Sequence, residues 1–277
     1  MDYFNQSVLF KIKKVLRYLL IYGFSRTYIK VMGQFHMRKK YGILPLVRNE
    51  IKPSQIVGII GCGNYSFSNI AYYLNKKYGR IIAACMDVDI NHAASLSDYY
   101  KVPCFSVSAE EVIKKKNIQL IYIASNHASH AEYAIDALLS GKDVYIEKPH
   151  VVSEDQLVRL VNAIKRSGKK AFLGFNRPGS YFGRIIYEFL KKETGSGIYN
   201  WFVSGHALDS GHWYYNPEEG GRVLGNLCHW IDFILRLVPI DTYPIEIKPT
   251  RALKTDSDIA VTYKFGDNSI AVISFFG

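Results

Sequence analysis

Between residues 55 and 175, short β-branched apolar runs alternate with longer amphipathic segments. The runs at residues 56–60, 81–86, 103–105, 120–124, 144–146 and 171–175 are too short for buried helices and rich in strand formers. Apolar residues recur at helical spacing in the segments 67–78, 91–100, 109–115, 130–139 and 153–167. Ser108 precedes the third of these as a predicted N-cap. Strands that alternate with helices close only as right-handed βαβ units, so this region predicts a parallel, doubly wound α/β sheet.

The first strand runs into Gly61-Cys62-Gly63-Asn64-Tyr65-Ser66, and a helix follows. In such a G-x-G-x-x-S loop the first glycine permits a tight turn and the second lets a pyrophosphate approach the backbone. The third position needs only a small residue, and Ser66 is small enough. The free N–H groups at the helix start then face the phosphates. Asp87 lies 24 residues after Gly63, at the predicted end of the second strand, where a carboxylate accepts from the adenosine ribose hydroxyls. A carboxylate there repels a 2′-phosphate, which favours NAD over NADP. Asp89 adds to that repulsion. The alternative is a tight turn with no ligand.

After about residue 185 the texture changes. Strands are expected at 198–205, 245–247, 259–265 and 270–276, with a helix at 227–237. Asp267-Asn268 marks a hairpin between the last two strands. Strands that follow one another directly indicate an α+β second domain with a mostly antiparallel sheet. The domains expected are a basic helical arm (1–53), a Rossmann domain (54–176) and an α+β substrate or oligomerisation domain (177–277).

The formal net charge of +11 is concentrated at the start of the chain. Residues 1–50 hold ten Lys or Arg and two acids, whereas the other 227 hold 25 bases and 22 acids. Val8, Leu9, Ile12, Val15, Leu16, Leu19 and Leu20 form a helical apolar stripe with Lys11, Lys14 and Arg17 between them, and Gly23 is a plausible stop. Such an arm packs on the body or a second subunit, or lies on an anionic membrane as a peripheral contact. No known nucleic-acid reader module accompanies the charge, so nucleic acid is not an expected partner. Cys62, Cys85, Cys104 and Cys228 are scattered, with no metal-ligand spacing. They fit a reducing cytoplasm. The sequence contains neither a signal peptide nor an apolar run long enough to span a bilayer.

The strand at 144–146 ends in Glu147-Lys148-Pro149, at the carboxyl edge where such sheets bind ligands. Alone, Lys148 reads as a solvated charge. Together with the phosphate loop, Asp87, Ser125, His130 and the segments Gly174-Phe175-Asn176-Arg177 and Cys228-His229-Trp230-Ile231-Asp232, it makes residues 55–277 resemble the glucose–fructose oxidoreductase / inositol dehydrogenase (Gfo/Idh/MocA) family.

The resemblance implies a two-domain NAD-dependent dehydrogenase or reductase. Hydride would pass between the nicotinamide and a hydroxyl or keto carbon of a sugar or nucleotide sugar. It implies that Lys148 hydrogen-bonds the substrate hydroxyl and that His229 is the general acid or base; otherwise His229 is a core histidine. Cofactor contacts would come from Gly61 to Ser66, Asp87, Ser125, His130, Glu147 and Lys148. Substrate contacts would come from Asn176, Arg177, Trp213, Asn226 and Asp232. Trp213, Tyr214 and Tyr215 have faces suited to a sugar ring. Asp232, one turn after His229, either orients it or pairs with a neighbour. Family members often carry a carboxylate three or four residues before the histidine, where this chain has Asn226 and Gly225. They also usually continue beyond the last strand, whereas this sequence stops at Gly277, so the second sheet is expected to be incomplete or completed by another subunit of a homo-oligomer. Two other functions remain open: a silent cofactor-binding scaffold or partner subunit, and an NAD-retaining epimerase, lyase or glycosidase. The basic arm suggests surface-polysaccharide biosynthesis near a membrane.

Overall fold

The structure is a computed structural model that describes residues 6–47, 50–205, 208, 211–238, 240–251 and 258–276. Gly277, on which the expectation of an early stop rests, lies outside the described residues. The chain divides into two compact units. The first runs from the N-terminal helix to Glu147 and takes up Asp155–Phe172, and the second comprises Lys148–Glu154 and Leu173 onward. The arm therefore belongs to the same unit as the Rossmann sheet, and Lys148 opens the second unit.

In the first unit a six-stranded sheet has the order β3-β2-β1-β4-β5-β6, with β1 Val57–Ile60, β2 Ile82–Met86, β3 Cys104–Ser106, β4 Leu120–Ile123, β5 Asp143–Ile146 and β6 Ala171–Leu173. The β3-β2, β2-β1, β1-β4 and β4-β5 ladders are parallel. All residues of β1 and β2 are buried, as expected of central strands covered on both faces. The helices are α2 Tyr72–Tyr78, α3 Ile90–Tyr100, α4 Ala109–Ile113, α5 His127–Leu139 and α6 Glu154–Ser167. A π-type turn, Ser66–Ala71, leads into α2 where the periodicity predicts plain α-helix. Ser108 does occupy the N-cap position of α4, but its side chain makes no capping bond.

The arm is one helical element, α1 Val8–His36, broken at Gly23, whose φ of 77° is open to glycine at little cost. Gly23 thus redirects the helix rather than ending it. Downstream of the break, Ile29 joins the core formed by Val57, Ile59, Phe67 and Leu96, and Met32 packs against it. Upstream, the stripe expected to pack on the body is exposed instead: Leu9 is 62%, Ile12 51%, Leu16 52% and Leu20 87% accessible.

The second unit holds α7 Tyr181–Leu190, which the sequence reading omits, α8 Cys228–Leu235, and a four-stranded sheet of order β7-β10-β9-β8. Its strands are β7 Ile198–Ser204, β8 Pro244–Arg251, β9 Ile259–Phe265 and β10 Ile270–Phe276. β8-β9 and β9-β10 are antiparallel, and β10-β7 is parallel. The hairpin at Asp267-Asn268 is present: Asn268 has φ 68°, and Asp267 accepts from the Ser269 N–H at 2.9 Å. Ile259, Val261, Tyr263 and Phe265 alternate inward along β9 and, with Ala271, Ile273 and Phe275 of β10, pack on Ile234 of α8 and on Leu227 just before it. Among the described residues the last strand lies between two neighbours, and the outer strands of this sheet are β7 and β8.

Candidate active site

The phosphate loop is shaped by side-chain absence at two points. Gly61 has φ 87°, and a Cβ there would stand 2.5 Å from the Ala124 carbonyl oxygen and 2.6 Å from the Ser125 nitrogen, so both the dihedral and the end of β4 exclude a side chain. A Cβ on Gly63 would meet nothing within 4 Å, which leaves that backbone open to a phosphate. Ser66 is buried, and its hydroxyl donates back to the Gly61 carbonyl, closing the turn. The Cys62 side chain is buried, and burial pushes its thiol pKa well up, so only its backbone is available to a ligand. The Tyr65 ring is half exposed; burial of its hydroxyl and the Glu147 carboxylate beside it both raise the phenol pKa. The loop fits a dinucleotide pyrophosphate.

At the end of β2, one Asp87 carboxylate oxygen accepts from the Cys62 N–H at 2.7 Å and the other from the Asp89 N–H at 2.9 Å. His92 Nδ1 lies 3.6 Å away. Burial raises the Asp87 pKa, but hydrogen bonds from His92 and the Asp89 and Cys62 N–H groups outweigh it and keep the carboxyl below its ordinary value. His92, raised chiefly by its bond to Asp87, stands on the first turn of α3, and sequence spacing gives no sign of it. Asp89 is engaged elsewhere: it caps α3 through the Asn91 N–H at 2.9 Å and pairs with Lys40 at 2.7 Å. Asp89 thus carries a cation of the arm beside it, whereas Asp87 is held by backbone N–H groups and His92. The arm also reaches the loop itself, where His36 Nε2 hydrogen-bonds the Cys62 carbonyl at 2.6 Å and its ring stacks on Phe67 at 4.3 Å.

Ser125 follows β4, with its hydroxyl 2.7 Å from that of Ser129. His130 is buried and reaches the Ser125 carbonyl through Nε2 at 3.1 Å, so it supports this loop from behind.

In the second unit, Lys148 Nζ donates to the Gly225 carbonyl and to the Tyr214 hydroxyl at 3.3 Å. It also lies 5.6 Å from the Tyr214 ring centroid. The π-type turn Val223–Leu227 contains that carbonyl, so a backbone oxygen holds the lysine at one of the two positions where family members often carry a carboxylate. His229 extends from α8, with the Phe175 ring edge-on at 6.0 Å and Nδ1 buried without a hydrogen-bond partner. Burial, then the Lys148 and Arg177 cations, lower its pKa to about 4, so the imidazole is neutral near pH 7. A neutral ring beside a fixed ammonium can accept a proton from a hydroxyl that the ammonium orients.

The other expected residues divide. Arg177 lies over the Trp230 ring at 5.1 Å, and Asn176 is exposed beside it. Trp213 is part of a 3-10 turn, edge-on to Tyr214 at 4.4 Å, so Tyr214 joins the lysine to the aromatic cluster. Asn226 is half-buried in the turn before α8. Asp232 does not orient His229; it pairs with Arg236 at 3.0 Å, which was the other alternative. His150, absent from the sequence candidates, packs edge-on against the Phe175 ring at 6.0 Å, and burial lowers its pKa. Its position directly after Lys148-Pro149 is the signal that marks it.

Residues 56–175 match the profile of the oxidoreductase family with an NAD-binding Rossmann fold. Oxidoreductase P35 of Formosa agariphila is 34% identical over 122 residues, covering 43% of this chain and 37% of that protein. An inositol 2-dehydrogenase of Ralstonia nicotianae is 26% identical over 196 residues, covering 68% of this chain and 55% of that protein. The chain thus spans little more than a third to about half of these relatives' lengths. Among solved structures, myo-inositol 2-dehydrogenase from Lactobacillus plantarum superposes with a TM-score of 0.70 at 20% identity, covering 80% of this chain and 69% of that one. The WlbA dehydrogenase from Chromobacterium violaceum, in complex with NADH and UDP-GlcNAcA, gives 0.70 at 14% identity over 86% and 70%. At these identities the structural likeness establishes the fold.

Proposed function

We propose that this chain, whose residues 56–175 match the Gfo/Idh/MocA oxidoreductase profile, is an NAD-dependent dehydrogenase or reductase of a sugar or nucleotide sugar. The observation that carries the reading is the Lys148–His229 pair: an ammonium held by Gly225 and Tyr214, and an imidazole kept neutral with Nδ1 buried and unpaired. The loop Gly61 to Ser66 and Asp87 would hold NAD, whose nicotinamide supplies the hydride acceptor. Lys148 orients the substrate hydroxyl as a donor to its oxygen. His229 takes the hydroxyl proton as the C–H bond breaks, and returns it in the reverse direction. Asp87 stays anionic and opposes a 2′-phosphate, which supports NAD over NADP. Trp213 and Tyr214 offer ring faces to the C–H surface of a pyranose.

The test is an NADH titration against NADPH, followed by a turnover screen of myo-inositol and UDP-sugars. NADH-selective binding, with turnover that releases NADH and is lost in Lys148→Ala while NADH binding persists, is the expected result. Turnover without net NADH release would assign the NAD-retaining chemistry instead. No binding of NADH to the folded chain would overturn the proposal.

A further inference from the structure

The upstream half of α1 is built inside out. At 100° per residue, Leu9, Ile12, Leu16 and Leu20 share one face, and that face points away from the protein. The opposite face carries Lys11, Lys14 and Tyr18, which line a cavity of about 370 Å³ together with Thr27, Lys30 and Gln34 of the downstream half. Long apolar side chains therefore meet solvent while two lysines turn inward, the reverse of a helix that docks on its own core. The downstream half is fixed: His36 bonds the Cys62 carbonyl, Arg26 donates to Ser68 and Asn69, and Ile29 enters the core. The exposed stripe is thus presented on an anchored base.

Charge selects the occupant. Lys13 and Arg17 flank the stripe on its exposed side, and residues 3–49 contain ten bases and no acid. A second copy would bring the same cations against the first, whereas anionic lipid headgroups complement them. Among the described residues no helix is long and apolar enough to cross a bilayer, so the element suits the interfacial plane. The geometry points to the upstream half of α1 as a docking surface for an anionic membrane, with Leu9, Ile12, Leu16 and Leu20 entering the headgroup–acyl boundary and Lys13 and Arg17 on lipid phosphates.

The test uses the full chain in flotation with vesicles of 30% phosphatidylglycerol in phosphatidylcholine and with vesicles of phosphatidylcholine alone. The expected result is recovery with the anionic vesicles, at least about tenfold stronger than with the neutral ones, and weaker in 0.5 M salt. Leu9→Ser/Leu16→Ser/Leu20→Ser should lose flotation with an unchanged thermal transition, because these side chains contribute nothing to the core. Lys13→Glu/Arg17→Glu should lose the preference for anionic vesicles. No flotation of the parent chain, or equal flotation with both vesicle types, overturns the proposal. So does concentration-dependent dimerisation without vesicles that the leucine variant abolishes, since a second copy would then own the stripe.

Discussion

Replacing Lys148 with methionine should move the titration of His229. In the parent chain the imidazole pKa is lowered from 6.5 to about 4, with burial the largest cause and the Lys148 and Arg177 cations next. At pH 6 a histidine of pKa about 4 is neutral in ~99% of molecules, against ~24% at the ordinary 6.5, a roughly fourfold difference in available base. Lys148→Met keeps the stem volume and removes one of the two cations. Because burial remains, the pKa should rise by about one unit or less and stay below 6.5. Histidine-selective ¹³C/¹⁵N labelling with NMR titration from pH 3 to 8, assigned through a His229→Gln spectrum, reads it directly. The signs are fixed: loss of a cation eases protonation, so the midpoint must go up. A His229 midpoint near 6.5 in the parent chain, or one that falls or stays put in Lys148→Met, would refute the reasoning. Under turnover the same depression predicts that the acid limb of kcat/KM lies well below pH 6.5 in the parent enzyme.

Gly61→Ala should abolish NADH binding and destabilise the domain by at least about 2 kcal/mol, since a φ of 87° and backbone atoms at 2.5 to 2.6 Å leave its methyl group no room; calorimetry and a thermal melt check both. Asp87→Ala should narrow the NADH/NADPH affinity ratio about tenfold or more, and an unchanged ratio would shift selectivity to another residue. His36 is buried with its pKa lowered to about 4 by desolvation. It is neutral in the fold and protonates first in the unfolded chain, so acid favours unfolding from about pH 6.5 down to 4, with the full loss reached below 4. The melting temperature should fall over that window and fall less in His36→Phe. Ile273→Ala empties a fully buried site in the second sheet and should cost about 2–5 kcal/mol, read from urea unfolding.

The parts of this protein legible in its sequence are those written in local spacing. The parallel sheet follows from alternating runs, because a short β-branched run has one way to bury both faces. The loop at Gly61 and the acid at Asp87 follow because a strand–turn–helix fixes where a glycine and a carboxylate must stand. The hairpin at Asp267-Asn268 follows from the left-handed dihedral that Asn268 adopts. Most strand ends shifted by a residue or two, and β8 runs four residues past its expected end at 247, since strand termini depend on neighbours that spacing does not describe.

What only the tertiary structure decided concerns partners distant in the chain or without a side chain. Lys148 is held by the carbonyl of Gly225, 77 residues on, and a backbone oxygen has no sequence signature. Asp232 turned to Arg236 rather than to His229, a choice between two neighbours on one helix. Asp89 met Lys40 from the arm, 49 residues earlier, a partner that no local spacing announces. The apolar stripe of α1 had the period of a buried face, yet its direction was set by the break at Gly23 and by where the downstream half anchors. Periodicity determines that residues share a face; only the packing of the rest of the chain determines what that face meets.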